Sequence, residues 1–169
     1  MATDPAASGA SAATPADAPA PAAQATAGTR AALARIEALY AGLAPEGTGA
    51  LRDAYSADAY FRDPFNEVRG AAAIERIFSH MFDQLHAPRF VILERAVDGD
   101  TAWLTWDLEY RLKPGQPVRR IHGASQLRFD GDGCVCHHRD YWDAAGELYE
   151  TLPLLGSVLR LIRGRLRAR

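Results

Sequence analysis

The stretch Thr101-Ala102-Trp103-Leu104-Thr105-Trp106-Asp107-Leu108-Glu109-Tyr110-Arg111-Leu112-Lys113 decides the fold. Leu104, Trp106, Leu108, Tyr110 and Leu112 alternate with Thr105, Asp107, Glu109 and Arg111, so a strand here has one apolar and one polar face. Strand-like segments flank it at 89–97, 118–129 and 134–142, separated by Asp98-Gly99-Asp100, Pro114-Gly115 and Asp130-Gly131-Asp132-Gly133. Breaks of this length and composition make hairpin turns and are too short for parallel crossovers. The four segments therefore form an antiparallel meander. In the third, Ile121, Gly123, Ser125, Leu127 and Phe129 oppose Arg120, His122, Gln126 and Arg128.

Upstream, the apolar period lengthens. Leu33, Ile36, Leu39, Tyr40 and Leu43 predict a helix over 29–43 with Thr29 as its cap. A second helix is expected from 48 to about 55. A brief strand at Tyr60-Phe61 follows, ended by Asp63-Pro64 because proline cannot continue a ladder. Ile74, Ile77, Phe78, Met81 and Leu85 mark a third helix over 71–85, closed by Pro88. The expectation is an α+β, cone-shaped domain: three N-terminal helices packed on one face of a strongly bent antiparallel sheet. A cone between sheet and helices suits a small hydrophobic ligand. Beyond Asp143, a helix cap, residues 144–151 read as helical until Pro153. Residues 156–169 form a basic amphipathic C-terminal helix with Leu159, Ile162 and Leu166 amid arginines.

Residues 1–28 are rich in Ala and Pro with no large apolar residue after Met1, and read as a disordered tail ahead of a domain at 29–155. The tail lacks the basic start and leucine-rich run of a signal peptide. A net charge of −2 gives no reason to expect nucleic acid, and no apolar run is long enough to span a membrane. The two cysteines, Cys134 and Cys136, cannot build a disulfide framework, and as reduced thiols they fit the cytoplasm.

The last strand-like segment ends in His138-Arg139-Asp140-Tyr141-Trp142-Asp143. With Trp142 facing inward, the period of two brings Asp140 and His138 to the same face: carboxylate, imidazole and indole on one wall. Cys134, Cys136, His138 and Asp140 also share a face by that period. Four such residues spread over about 20 Å, too far to surround one metal ion, so no metal is expected. Trp103, Val135 and Tyr141, with Val91 or Leu93, fall on the outer face and suggest a homodimer through it.

Two stretches carry a family resemblance: Tyr55-Ser56-Ala57-Asp58-Ala59-Tyr60-Phe61-Arg62-Asp63-Pro64-Phe65 with Gly70, and 133–142. Over roughly residues 30–155 the chain resembles the nuclear transport factor 2-like superfamily, and within it the SnoaL-like proteins. The first stretch is similar to ketosteroid isomerase, which implies Asp63 as general base. The isomerase's oxyanion acid falls on Ser125, and its tyrosine on Ile36, with Tyr40 one turn along the same face. Losing one oxyanion donor costs about two to three orders of magnitude, so a standard steroid isomerase is not expected. The second stretch is similar to limonene epoxide hydrolase, which implies Asp140 as a catalytic aspartate. Trp106 and Leu108 replace that family's arginine and second aspartate, and Asp63 its asparagine.

What the resemblance implies is a cofactor-free isomerase, cyclase or hydrolase with Asp63 as base and Asp140 as acid or second base. Its small hydrophobic substrate would meet Tyr40, Phe61, Trp106, Leu108, Ser125, His138 and Trp142. Plainer roles stand beside these. Asp63 before Pro64 also terminates a strand by accepting backbone hydrogen bonds, Asp140 also suits an ion pair, and His122 suits a surface pair with Asp107 or Glu109. A noncatalytic ligand-binding or dimeric scaffold protein is the alternative. Association of the basic tail with a membrane surface ranks behind both.

Overall fold

The computed structural model describes residues 26–147. In chain order come α1 (Ala27–Ala41), a 3₁₀ turn (Pro45–Ala50), α2 (Leu51–Ala54), β1 (Tyr55–Arg62), β2 (Glu67–Arg69) and α3 (Ala71–Gln84). Then follow β3 (His86–Asp98), β4 (Thr101–Arg111), β5 (Arg119–Phe129), β6 (Val135–Trp142) and α4 (Ala144–Glu147). Six strands form one sheet in the order β2-β1-β6-β5-β4-β3. The meander β3 to β6 is antiparallel throughout, as the short turns require. Helices α1 and α3 pack on one face of it, giving the expected α+β layers.

That face is built by alternation. Leu104, Trp106, Leu108 and Tyr110 of β4 and Ile121, Ser125, Leu127 and Phe129 of β5 are buried under Leu33, Ile36, Tyr40, Ile74 and Phe78 of the helices. On the other face Asp107 and Glu109 are held by His122, Arg120 and Arg89, so neither carboxylate reaches the interior. Trp103 and Tyr141 stack there, 5.8 Å between centroids. Helix α3 starts at Gly70, whose φ of 94° belongs to glycine. Gly70 donates its amide to Ala59 of β1 and accepts from Ala73 and Ile74, which ties the helix to the sheet.

Several local expectations give way. Helix α1 begins two residues early, because Thr26, not Thr29, is its cap: the Thr26 hydroxyl accepts from the Thr29 amide. Tyr55, read as the end of a helix, opens a strand of eight residues instead of the brief one at Tyr60-Phe61. That strand runs parallel to β6, and β2 folds back on its other side. Pro88 does not close α3. It lies within β3, an edge strand, where a missing N–H leaves no ladder bond unmade. The register slips there, and Ala87 adopts a φ of 50°. Leu112 lies beyond β4 and is exposed.

A bulge in β6 matters most. Arg128 pairs with His137 but Phe129 with Val135, so Cys136 is the extra residue. Val135, expected on the outer face, is fully buried, and Cys134, Cys136 and His138 do not keep one face. No group of His, Cys, Asp and Glu among the described residues is arranged to hold a metal ion. The Asp143 carboxylate accepts from the Gly146 amide at 2.9 Å, capping α4 as expected. The tail up to residue 25 and the basic C-terminal helix lie outside the described residues. No described helix is long and apolar enough to cross a membrane.

Candidate active site

Between α3 and the inner sheet face lies a cavity of about 650 Å³. Phe61, Phe78, Phe90, Trp106, Leu108 and Trp142 supply much of its wall, with Asp140 and Asp63 among them. Its width beside the sheet depends on Gly123. This residue pairs with Trp106 on one side and Trp142 on the other, so two indoles flank a position without a side chain. A Cβ on Gly123 would stand 2.5 Å from Cη2 of Trp106. The missing methyl lets the indole lie down across β5 and bring its Nε1 to Ser125.

Asp140 is the polar centre of the wall. Its Oδ1 accepts from the Ser125 hydroxyl at 2.5 Å and lies 2.7 Å from Nε2 of His138. Trp106 Nε1 donates to the Ser125 oxygen at 2.8 Å, which points the serine hydrogen at Asp140. Behind His138, Nδ1 lies 2.6 Å from the Tyr55 hydroxyl and 3.2 Å from that of Tyr40, and the two phenols bond each other. Burial, first of all, raises the pKa of both tyrosines well above the usual phenol value, so both stay protonated. The shorter contact to Nδ1 gives the order of donation: Tyr40 to Tyr55, Tyr55 to Nδ1 of His138, and His138 to Asp140 through Nε2–H, with no hydrogen left over. Asp140 Oδ2 has no hydrogen-bond partner among the described residues.

The residues named from sequence divide into two shells. Asp63, Phe61, Trp106, Leu108, Asp140 and Trp142 line the large cavity, whereas Tyr40, Ser125 and His138 stand behind Asp140 around a space of about 10 Å³. His138 is 2% exposed and packs edge-on to Phe61, so it reaches a ligand only through Asp140. Asp63 sits in the β1–β2 loop. Its Oδ1 accepts from the amides of Phe65 (2.7 Å) and Asn66 (2.5 Å), and the Asn66 side chain bonds both oxygens. The carboxylate thus holds the turn that carries Phe65 to Trp142, 5.3 Å between ring centroids.

Sequence reasoning missed Tyr55, because the helix was carried one residue too far. It also passed over Arg76, His80 and Gln84, which line the cavity from α3. Their spacing of four, beside the apolar stripe of Ile77 and Met81, was the available signal.

An α+β layer with an apolar cavity between helix and sheet and one buttressed carboxylate in its wall is the architecture of the nuclear transport factor 2-like fold. Residues 36–138, more than half of the chain, match the SnoaL-like domain, and the protein belongs to that family. No curated protein matches the sequence. Solved structures share the fold. An epoxide hydrolase of M. tuberculosis, LEH-like, superposes with a TM-score of 0.59 at 17% identity, covering 82% of this chain and 98% of its own. A steroid delta-isomerase of Pseudomonas aeruginosa gives 0.55 at 22%, covering 86% and 99%. A hypothetical protein of Catenulispora acidiphila with a ketosteroid isomerase-like fold, in complex with trimethylamine, gives 0.58 at 18%, covering 69% and 88%.

Proposed function

We propose that this protein is a cofactor-free isomerase or cyclase acting on a small hydrophobic molecule, with Asp140 as the group that takes and returns the proton. One observation carries the reading: Asp140 lines the cavity with Oδ1 fixed by Ser125 and His138 and Oδ2 left without a partner among the described residues. A carboxylate oriented in this way, in a mostly apolar cavity, is a usable base toward a carbon acid. His138 and Ser125 act as positioning residues, and Trp106 positions Ser125 in turn.

A single base that removes a proton from one carbon and delivers it to another suits isomerisation or ring closure. Epoxide hydrolysis needs a second group to protonate the leaving oxygen. Trp106 and Leu108 on β4 offer none, which favours the first reading. Asp63 contributes here by shaping the cavity mouth, since both its oxygens already accept hydrogen bonds. The trimethylamine complex of the Catenulispora protein fits the idea that cavities on this fold take small organic molecules.

The test is deuterium uptake from D₂O by a panel of enolisable alicyclic ketones, followed by NMR beside their binding constants. Exchange at the carbon next to the carbonyl is expected, with a fall of at least about 100-fold in Asp140→Asn while binding changes little. Ketones that bind without exchange would leave a noncatalytic ligand-binding protein as the better description, and exchange that survives in Asp140→Asn would take the proton-transfer role away from Asp140.

A further inference from the structure

The cavity has charged or polar groups at two places of opposite character. On the sheet side stands Asp140, an acceptor of hydrogen bonds. On the helix side, α3 turns from core to cavity to rim: Ile74 and Phe78 are buried, Ile77 and Met81 form wall, and Arg76, His80 and Gln84 are exposed along one edge. Four-residue spacing aligns guanidinium, imidazole and amide in a row along the helix. All three can donate hydrogen bonds, and Arg76 does nothing else. Its side chain has no ion pair or hydrogen bond among the described residues, whereas its neighbour Glu75 is engaged by Arg52. The acid that lines the cavity elsewhere, Asp63, belongs to the β1–β2 loop and has its oxygens occupied. Beside Asp63 the wall carries Asn66, which bonds its carboxylate, and the exposed apolar side chains of Phe65 and Leu112.

We infer that the ligand of this cavity is an amphiphile with an anionic head, whose apolar body fills the space between α3 and the sheet while the head rests at the rim on Arg76 and His80. The inference rests on the small-molecule reading above and adds the substrate class and its direction of entry. Asp140, whose side chain is mostly buried, disfavours an anion beside the sheet, and the exposed Arg76 favours one at the helix rim, so the two charges orient the molecule head-out. The reacting carbon then lies on the apolar body, against Oδ2 of Asp140. Carboxylate, sulfate and phosphate heads share this chemistry. A carboxylate meets the guanidinium with two parallel bonds and is the simplest case.

The experiment compares decanoate with 1-decanol, which share a body and differ in the head, by calorimetry and by tryptophan fluorescence, since Trp106 and Trp142 line the cavity. Decanoate is expected to bind tighter by roughly fivefold, the size of a half-exposed charge pair. Arg76→Gln should bring the ratio of decanoate to decanol affinity down to about one, and Arg76→Lys should keep most of the preference. Replacing decanoate by decyl sulfate or decyl phosphate tells whether the head is specifically a carboxylate. Equal binding of decanol and decanoate, or a preference that survives in Arg76→Gln, overturns the anionic head and leaves the cavity reading standing. If neither compound binds, this inference falls, while the small-molecule reading is decided separately by the binding of the alicyclic ketones.

Discussion

Replacing His138 with phenylalanine tests the buried hydrogen-bond chain without any knowledge of the substrate. The ring is 2% exposed and holds two bonds: Nε2 to Asp140 at 2.7 Å and Nδ1 to Tyr55 at 2.6 Å. The first is charge-assisted, for about 1.5–3 kcal/mol, and losing the second leaves a buried phenol hydrogen with no acceptor, for about 1–3 kcal/mol. Two phenols cannot satisfy each other, because whichever donates leaves the other hydrogen orphaned. Phenylalanine recovers part of the loss through its apolar ring, so the net expectation is about 3 kcal/mol. At a urea slope of about 2 kcal/mol per molar, the unfolding midpoint falls by roughly 1.5 M.

The informative arm is the pair Tyr40→Phe with Tyr55→Phe. In the wild-type background it strips His138 Nδ1 of its donors and costs about 2–4 kcal/mol. In the His138→Phe background it removes an orphaned hydrogen and should be neutral or stabilising. That difference is a coupling energy, which a mutant cycle reads directly. Equal penalties in the two backgrounds would mean that the tyrosines and His138 do not form one network, and the tautomer assigned to His138 would go with it.

Two further predictions follow from the same packing. Since burial raises the pKa of Tyr40 and Tyr55 in the folded state, the unfolded chain loses those protons first as pH passes about 10. The stability these groups contribute is complete below pH 10 and declines above it by about 1.4 kcal/mol per pH unit for each; thermal unfolding from pH 9 to 11 should show this, and the Tyr40→Phe/Tyr55→Phe protein a flatter curve. Gly123→Ala puts a methyl into the Trp106 indole and should cost about 1–3 kcal/mol. Near-UV circular dichroism should report the displaced indole, and an unchanged spectrum at full stability would show that Gly123 is not what lets Trp106 lie across β5.

The meander was legible because β4 and β5 alternate apolar with polar residues and because short Gly-containing turns separate its four strands. Strand β1 was not. Its residues Ser56, Ala57, Asp58 and Ala59 have little strand preference, and its register with β6 breaks between Tyr55 and Tyr60. Pairing with a distant strand overrides local propensity there, and no local pattern announces a parallel partner. The site was half legible for a related reason. Asp140, Trp142 and His138 were reachable by parity along β6 because the bulge precedes them, while Val135 and the cysteines lie before or within it. Tyr55 could be placed against His138 only by knowing the parallel pairing. The residue Asp63 shows the opposite limit: a motif position located it at the cavity, but its hydrogen-bond partner Asn66, three residues on, determines what the carboxylate is free to do.

The central place of β6, between β1 and β5, bears on how the chain assembles its cavity. Tyr55 and His138 are separated by 83 residues and Tyr40 and His138 by 98, so the machinery around Asp140 is assembled from distant parts of the polypeptide. During synthesis every other strand among the described residues emerges before β6. Until it docks, β1 and β5 each present an open edge, and an open edge is a template for pairing with another chain. Topology of this kind folds slowly. The interval before the last strand inserts is when the nascent protein is most exposed to aggregation, and its end is the moment at which the pocket acquires its carboxylate.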